Sequence, residues 1–286
     1  MTLFQFSIGL VILAFMVARP FVYKPCVQYF PAELSVAFTS IWLLVALAIT
    51  APVFSHLFTD NAAAIITSPY LLLSVLKGGL LWLMIKLQQI INKESTSSSV
   101  FFGFIALALG SLVNNIFFKE GLLLVHLICI CGLGILGLFF VLRGDARRLS
   151  VKGKIYFALI VLFGATFSVT DHLAIPQIGW YSHLLFSTVV MFLVCLWHGI
   201  SKTDYLNIFK NKQVVLAGVI YAVSEFLIIY TSINILPVSF VAVFMRIAAP
   251  VVMIVSALKY NEQSWKNQLV FGAIAMALVL PLIFIK

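Results

Sequence analysis

The chain has 286 residues, 63% of them hydrophobic and only 9% charged, with a formal net charge of +9. A soluble domain carries roughly a quarter charged residues, so water is not the main solvent of this chain, and no polar stretch is long enough to fold as a separate extramembrane domain. The positive balance does not indicate nucleic acid, because the basic residues are scattered through short connectors and form no aromatic-interleaved basic surface.

A helix needs about 20 mostly apolar residues to cross the hydrocarbon core. On that measure the sequence predicts ten spans, at 2–18, 32–51, 68–91, 97–117, 121–142, 154–173, 178–199, 213–233, 237–258 and 265–285. No basic leader precedes the first run and Arg19 follows it, the wrong polarity for a cleaved signal peptide, so it is expected to be a true span. Pro31, Pro69, Pro176 and Pro237 fall in connectors and suit helix starts. The runs are too long for strands and lack period-2 alternation. The expected fold class is therefore all-α and integral to the membrane, one membrane domain over 1–286.

Basic residues alternate from connector to connector. Arg19 and Lys24 fall after span 1, Lys93 after span 3, and Arg143, Arg147, Arg148, Lys152 and Lys154 after span 5. Lys202, Lys210 and Lys212 follow span 7, and Lys259 and Lys266 follow span 9. The connectors between carry no Lys or Arg, apart from Lys119 beside Glu120. By the positive-inside rule the basic side is cytoplasmic and both termini lie outside, with the inner (plasma) membrane of a bacterium as the expected location.

The chain also reads as two halves, 1–148 and 149–286, of five spans each. Setting Glu120 on Glu262 brings Ser97 onto Ser239 without a gap. Five is odd, so the second half enters the membrane upside down. Each basic connector of one half then matches a charge-poor one of the other, the pattern of an inverted-repeat transporter with a site near the midplane.

Charged residues inside spans are functional candidates. Lys77 lies about 10 Å beyond Pro69 along span 3, Glu225 is central in span 8 and Arg246 central in span 9. Tyr221 stands one turn before Glu225, and Pro250 one turn after Arg246, where it is expected to bend the helix and leave irregular backbone at membrane depth. Arg246 and Lys77 suit an anionic group on a solute, Arg246 with a two-pronged grip; Glu225 suits an ammonium group or a coupling proton. The alternative is that Glu225 and Arg246 neutralise one another across adjacent helices. Trp82 and Tyr221 are candidates to stack on a solute, against ordinary packing. Asp171-His172 ends span 6, as a coupling or gating site or as a hydrated helix end. His183 and Ser187 read as packing polars, Trp180-Tyr181 as an interfacial belt, and Lys86 as a snorkelling cation.

Gly132, Gly134 and Gly137 match G-x-G-x-x-G, but inside an apolar span and with no strand before them, so close helix packing is the reading. No zincin, nucleophile-elbow or Walker motif occurs, so neither an enzyme nor a cofactor or metal is expected. Cys26, Cys129, Cys131 and Cys195 read as free thiols in apolar runs.

Pro237, Ser239 and Ala242, followed by Arg246, Pro250 and a terminal Tyr260-Asn261-Glu262, resemble the ninth-span pattern of the drug/metabolite transporter (DMT) superfamily, EamA-type branch. The sharp part covers about 213–285; the first half departs, with Ser95 where Pro237 predicts a proline. The resemblance implies an alternating-access carrier whose central cavity is lined mainly by spans 1, 3, 4, 6, 8 and 9, and it does not name a substrate. The function expected is secondary transport of a small polar metabolite, anionic or zwitterionic such as an amino acid, with its carboxylate on Arg246 and its ammonium on Glu225. Partners are this small molecule, the lipid bilayer and a coupling proton. The rivals are a carrier of organic cations and a non-transporting, lipid-handling membrane protein.

Overall fold

The computed structural model describes residues 3–59, 61–96, 98–118, 123–143, 149–235, 238–260 and 265–279, and every regular element among them is a helix. In chain order these are α1 (Leu3–Tyr29), α2 (Ala32–Phe54), α3 (His56–Thr59), α4 (Ala62–Thr67), α5 (Leu71–Glu94), α6 (Ser98–Phe118), α7 (Leu124–Arg143), α8 (Val151–Ile178), α9 (Trp180–Trp197), α10 (Lys202–Lys210), α11 (Lys212–Asn234), α12 (Val238–Tyr260) and α13 (Trp265–Val279). Among the described residues, α1, α2, α5, α8, α9 and α11 are long and apolar enough to cross a membrane, and α6, α7, α12 and α13 hold shorter apolar stretches. In a bilayer every backbone N–H and C=O must be satisfied within the segment, and helices do this. The chain is a helical membrane protein.

Two helices outrun their expected limits. The first continues through Arg19, Pro20, Lys24 and Pro25 to Tyr29, so Arg19 and Lys24 belong to α1 and not to a connector. A proline inside a helix removes the N–H that the carbonyl four residues earlier would accept, so Pro20 and Pro25 interrupt the ladder at the Met16 and Phe21 carbonyls; separately, the Asn92 side chain donates to the Pro20 carbonyl at 3.2 Å and ties α5 to α1. Likewise α8 continues through Pro176 to Ile178, where Gly179, at φ 76°, reverses the chain into α9. Asp171-His172 therefore lies about two turns inside a helix, and Pro176 belongs to the end of a helix, not a start. Pro31 does stand at the N-cap of α2. Pro237 lies outside the described residues. The helix α12 is continuous through Pro250.

Serine and asparagine close the helix starts on the basic side. Ser150 Oγ accepts from Gly153 N at 3.0 Å, and Glu94 accepts from both the N–H and the hydroxyl of Ser150, tying the end of α5 to the start of α8. Ser201 caps α10 and Asn211 caps α11. The short α10, within the expected connector 7–8, buries Ile208 and exposes Leu206 and Phe209.

Packing joins α1 to α11 and α12, α2 to α11 and α9, α5 to α8 and α9, α6 to α8 and α7, and α13 to α7 and α12. Small residues allow several of these approaches. A Cβ on Gly78 of α5 would collide with the Ser187 carbonyl of α9, and one on Gly218 of α11 with the Trp42 ring of α2. Gly134 and Gly137 of α7 fit closely against Ala108 and Ile105 of α6, the packing role expected for that motif. Trp180 and Tyr181 are not an interfacial belt. They are 6% and 4% exposed, in a cluster with Phe54, Phe226 and Tyr230, and the Tyr181 hydroxyl donates to the Leu47 carbonyl. The cysteines are free, and Cys26, Cys129 and Cys195 are buried.

Candidate functional site

Between these helices lies a cavity of about 620 Å³. Its walls come from α1, α5, α6, α8, α11 and α12, with Leu43 of α2 and Leu184 and Ser187 of α9 completing them. Five residues singled out by sequence line it together: Lys77, Asp171, His172, Tyr221 and Glu225. Trp82 and Pro250 are not among its described lining. Trp82 instead packs its ring on His198 at 4.2 Å, with Lys86 above it at 5.1 Å. Lys86 does not simply snorkel, for it pairs with Glu33 at 2.7 Å. The backbone of Arg246 belongs to α12; its side chain lies outside the described residues.

Glu225 projects from the middle of α11 and is met by Arg19 from α1. One Nη of Arg19 donates to Glu225 Oε1 at 2.7 Å and to the Tyr221 carbonyl at 3.3 Å, while Nε donates to Ser224 Oγ at 2.6 Å. The guanidinium lies 4.2 Å from the centre of the Tyr221 ring. An arginine at membrane depth is costly unless its donors are occupied and its charge matched; here Nε and one Nη are occupied and Glu225 matches the charge. Tyr221 thus stacks on a cation of the protein itself.

A second ion pair joins α5 to α8. Lys77 Nζ donates to Asp171 Oδ1 at 2.5 Å, and His183 Nε2 of α9 reaches the same oxygen at 2.8 Å. The other ring nitrogen of His183 meets Ser74 Oγ at 2.7 Å. A carboxylate only accepts, so Nε2 carries a proton; in the neutral ring Nδ1 then accepts from the Ser74 hydroxyl. His183 is 1% exposed and is held at both ends, so it is more than a packing polar. Asp171 is half-open to the cavity, with its side chain 36% exposed. Beside it His172 stacks on Phe118 at 4.4 Å.

The described charged lining is thus balanced, Arg19 and Lys77 against Glu225 and Asp171. Sequence reading expects two cations against one glutamate, because it places Asp171 at a helix end and Arg19 in a connector. Arg19, His183 and Ser74 are the residues it misses. The available signal was Arg19-Pro20 continuing an apolar run with no polar linker before Lys24.

The cavity lining reaches Pro176 and Ile233, near the C-terminal ends of α8 and α11. At the opposite ends of the helices the bundle is tied together. Lys24 Nζ donates to Thr96 Oγ1 at 2.7 Å and lies 4.0 Å from the centre of the Tyr260 ring, on which Phe21 also stacks. Gln88 Nε2 donates to the Ser99 carbonyl at 3.0 Å. The arrangement can hold a small molecule with charges of either sign. No family model matches the chain, and no curated protein matches it.

Proposed function

We propose that the protein is a secondary transporter of the drug/metabolite superfamily, EamA-type, moving a small carboxylate-bearing metabolite across the membrane by alternating access. The observation that carries this reading is the cavity among membrane helices with two ion pairs of opposite orientation in its walls. Charges at this depth are expensive, and walls that place four of them around open space suit a polar solute.

Helix packing supports the inverted ten-helix repeat. Set α1, α2, α5, α6 and α7 in order on α8, α9, α11, α12 and α13. The contact of α1 with α11 then exchanges with that of α8 with α5, and α1 with α12 exchanges with α8 with α6. The contact of α2 with α11 exchanges with that of α9 with α5, and α6 with α7 exchanges with α12 with α13. Both ion pairs stand on exchanged interfaces with their signs reversed: cation on α1 and anion on α11, anion on α8 and cation on α5. The six helices that supply most of the lining, α1, α5, α6, α8, α11 and α12, agree with the set the family resemblance implies, with α2 and α9 adding to it.

Balanced charge in the described lining favours a zwitterion, or an anion accompanied by a compensating cation. Lys77 receives the carboxylate, with Arg246 the further candidate from sequence; Asp171 and Glu225 are the acceptors for an ammonium group. An organic-cation carrier is the second reading, and Arg19 weighs against it by occupying both Glu225 and the Tyr221 ring. Orientation follows the basic connectors, with both termini extracytoplasmic.

The test is a thermal-shift screen of the detergent-purified protein against carboxylates, amino acids and alkylamines, with Lys77→Met and Arg246→Ala alongside. Stabilisation by a carboxylate-bearing class, lost in Lys77→Met, is the expected result. Stabilisation by alkylamines alone, retained in both variants, would establish the organic-cation reading instead.

A further inference from the structure

Lys77 already holds a carboxylate, that of Asp171. A solute carboxylate arriving at Lys77 competes with it, and what happens to Asp171 then depends on what else the solute brings. If the solute carries an ammonium group beside its carboxylate, that group takes the place of Lys77 on Asp171, and the wall remains neutral. If the solute has only a carboxylate, Asp171 and the solute share one lysine, and the site is left one positive charge short in a poorly solvated place.

We infer that the Asp171–His183 pair is a proton-binding site, filled when a solute bearing a carboxylate alone occupies Lys77; the inference rests on the reading of the cavity as a solute site. The geometry provides the acceptor. His183 Nε2 already donates to Asp171 Oδ1 at 2.8 Å, and its Nδ1 faces the Ser74 hydroxyl at 2.7 Å. When a proton from water adds to Nδ1, the ring becomes an imidazolium that still bonds Asp171 through Nε2. Its new Nδ1–H donates to Ser74 Oγ, and the serine hydroxyl turns its own proton away. Ser74 can do this because a hydroxyl both donates and accepts. The Lys77 ammonium swings its bond from Asp171 to the solute. Charges before and after sum to zero: lysine and aspartate at the start, then lysine with the solute and imidazolium with aspartate.

The surroundings leave His183 as the group to take that proton. On α5 the charged neighbour is Lys77, and Tyr70 lies just before that helix. On α8 there is His172, stacked on Phe118, and on α9 Tyr181, whose hydroxyl is committed to Leu47. His56 is exposed on α3. Across the cavity, Glu225 is held by Arg19 beside Tyr221. On α2 Glu33 is paired to Lys86 at the far end. The described side chains of α6 include no charged group.

The experiment is titration calorimetry of the purified protein at pH 7.5 with propionate and with alanine, each in two buffers of different ionisation heat. The difference between buffers counts protons. About one proton is taken up per propionate and about none per alanine. In His183→Gln propionate binds without proton uptake. In Asp171→Asn, which keeps the shape and leaves Lys77 unpaired, propionate binds at least about tenfold more tightly, again without uptake. Propionate binding to the wild type with no proton uptake, uptake unchanged in both variants, or failure of propionate where alanine binds would each overturn the inference and leave the solute site standing. If neither probe binds, the solute site falls and the inference with it.

Discussion

Arg19 and Glu225 meet at 2.7 Å although 206 positions separate them in sequence. One belongs to the first helix and the other to the eleventh, and their contact brings α1 and α11 together in one wall of the cavity. It has a counterpart in Lys77 and Asp171, which join α5 to α8 with the signs exchanged. Among the described residues, two bonds of this kind set the electrostatic character of the site.

Breaking the first pair should cost stability more than removing it whole. Arg19→Gln or Glu225→Gln leaves an unmatched charge at membrane depth, a loss of roughly 2–4 kcal/mol, moderated because the side chains are 15% and 25% exposed. The double variant Arg19→Gln/Glu225→Gln should fall short of the summed single losses by about 1–3 kcal/mol. Denaturation in detergent measures the cycle, and strict additivity would show that the two side chains are not coupled.

Replacing Lys77 should reverse the preference of the site. Lys77→Met leaves Asp171 with His183 alone and open to the cavity, so an alkylammonium probe should gain about tenfold in affinity while a carboxylate probe loses at least as much. Lys77→Arg keeps the charge but not the reach, and should retain the carboxylate probe with weakened binding. Equal affinities in Lys77→Met and the wild type would remove Lys77 from the site.

Adjacent glycines on α5 offer a test of helix contact with an internal control. A Cβ at position 78 meets backbone of α9, whereas one at position 79 meets nothing within 4 Å. Gly78→Ala should therefore destabilise by about 1–3 kcal/mol through overpacking, and Gly79→Ala should be neutral or stabilise by up to about 1 kcal/mol through helix propensity. Thermal melting of the two purified variants decides it; equal melting temperatures would contradict the close approach.

Orientation is open to chemical labelling. With the native cysteines replaced, a cysteine at Leu3 should react with an impermeant maleimide on intact cells, and one at Lys202 only after permeabilisation, both positions being exposed. The reverse order would invert the topology.

The helical, membrane-embedded character was legible from the apolar runs, because solvation by lipid acts on local composition. Helix ends were less so. A hydropathy measure stops at the first charge, yet Arg19 lies within α1 because Glu225, Ser224 and the Tyr221 carbonyl take up its donors, and those groups are supplied by a helix about 200 residues on. Asp171 was displaced to a helix end for the same reason; its partners Lys77 and His183 come from two other helices. Lys77, Tyr221 and Glu225 were recognisable individually as polar groups in apolar spans. Their partners were not, since pairing depends on which helices adjoin.

The glycine contacts have a consequence for motion. At Gly78 the backbones of α5 and α9 touch, and at Gly218 α11 lies directly on Trp42 of α2, so neither couple can slide without opening a tightly filled contact. Each couple takes one helix from 1–148 and one from 149–286. A body containing α5 and α9, or α2 and α11, is therefore stitched from both halves of the gene product. If the molecule parts to release a solute, it parts along a surface that keeps each of these couples whole and so does not separate residues 1–148 from residues 149–286.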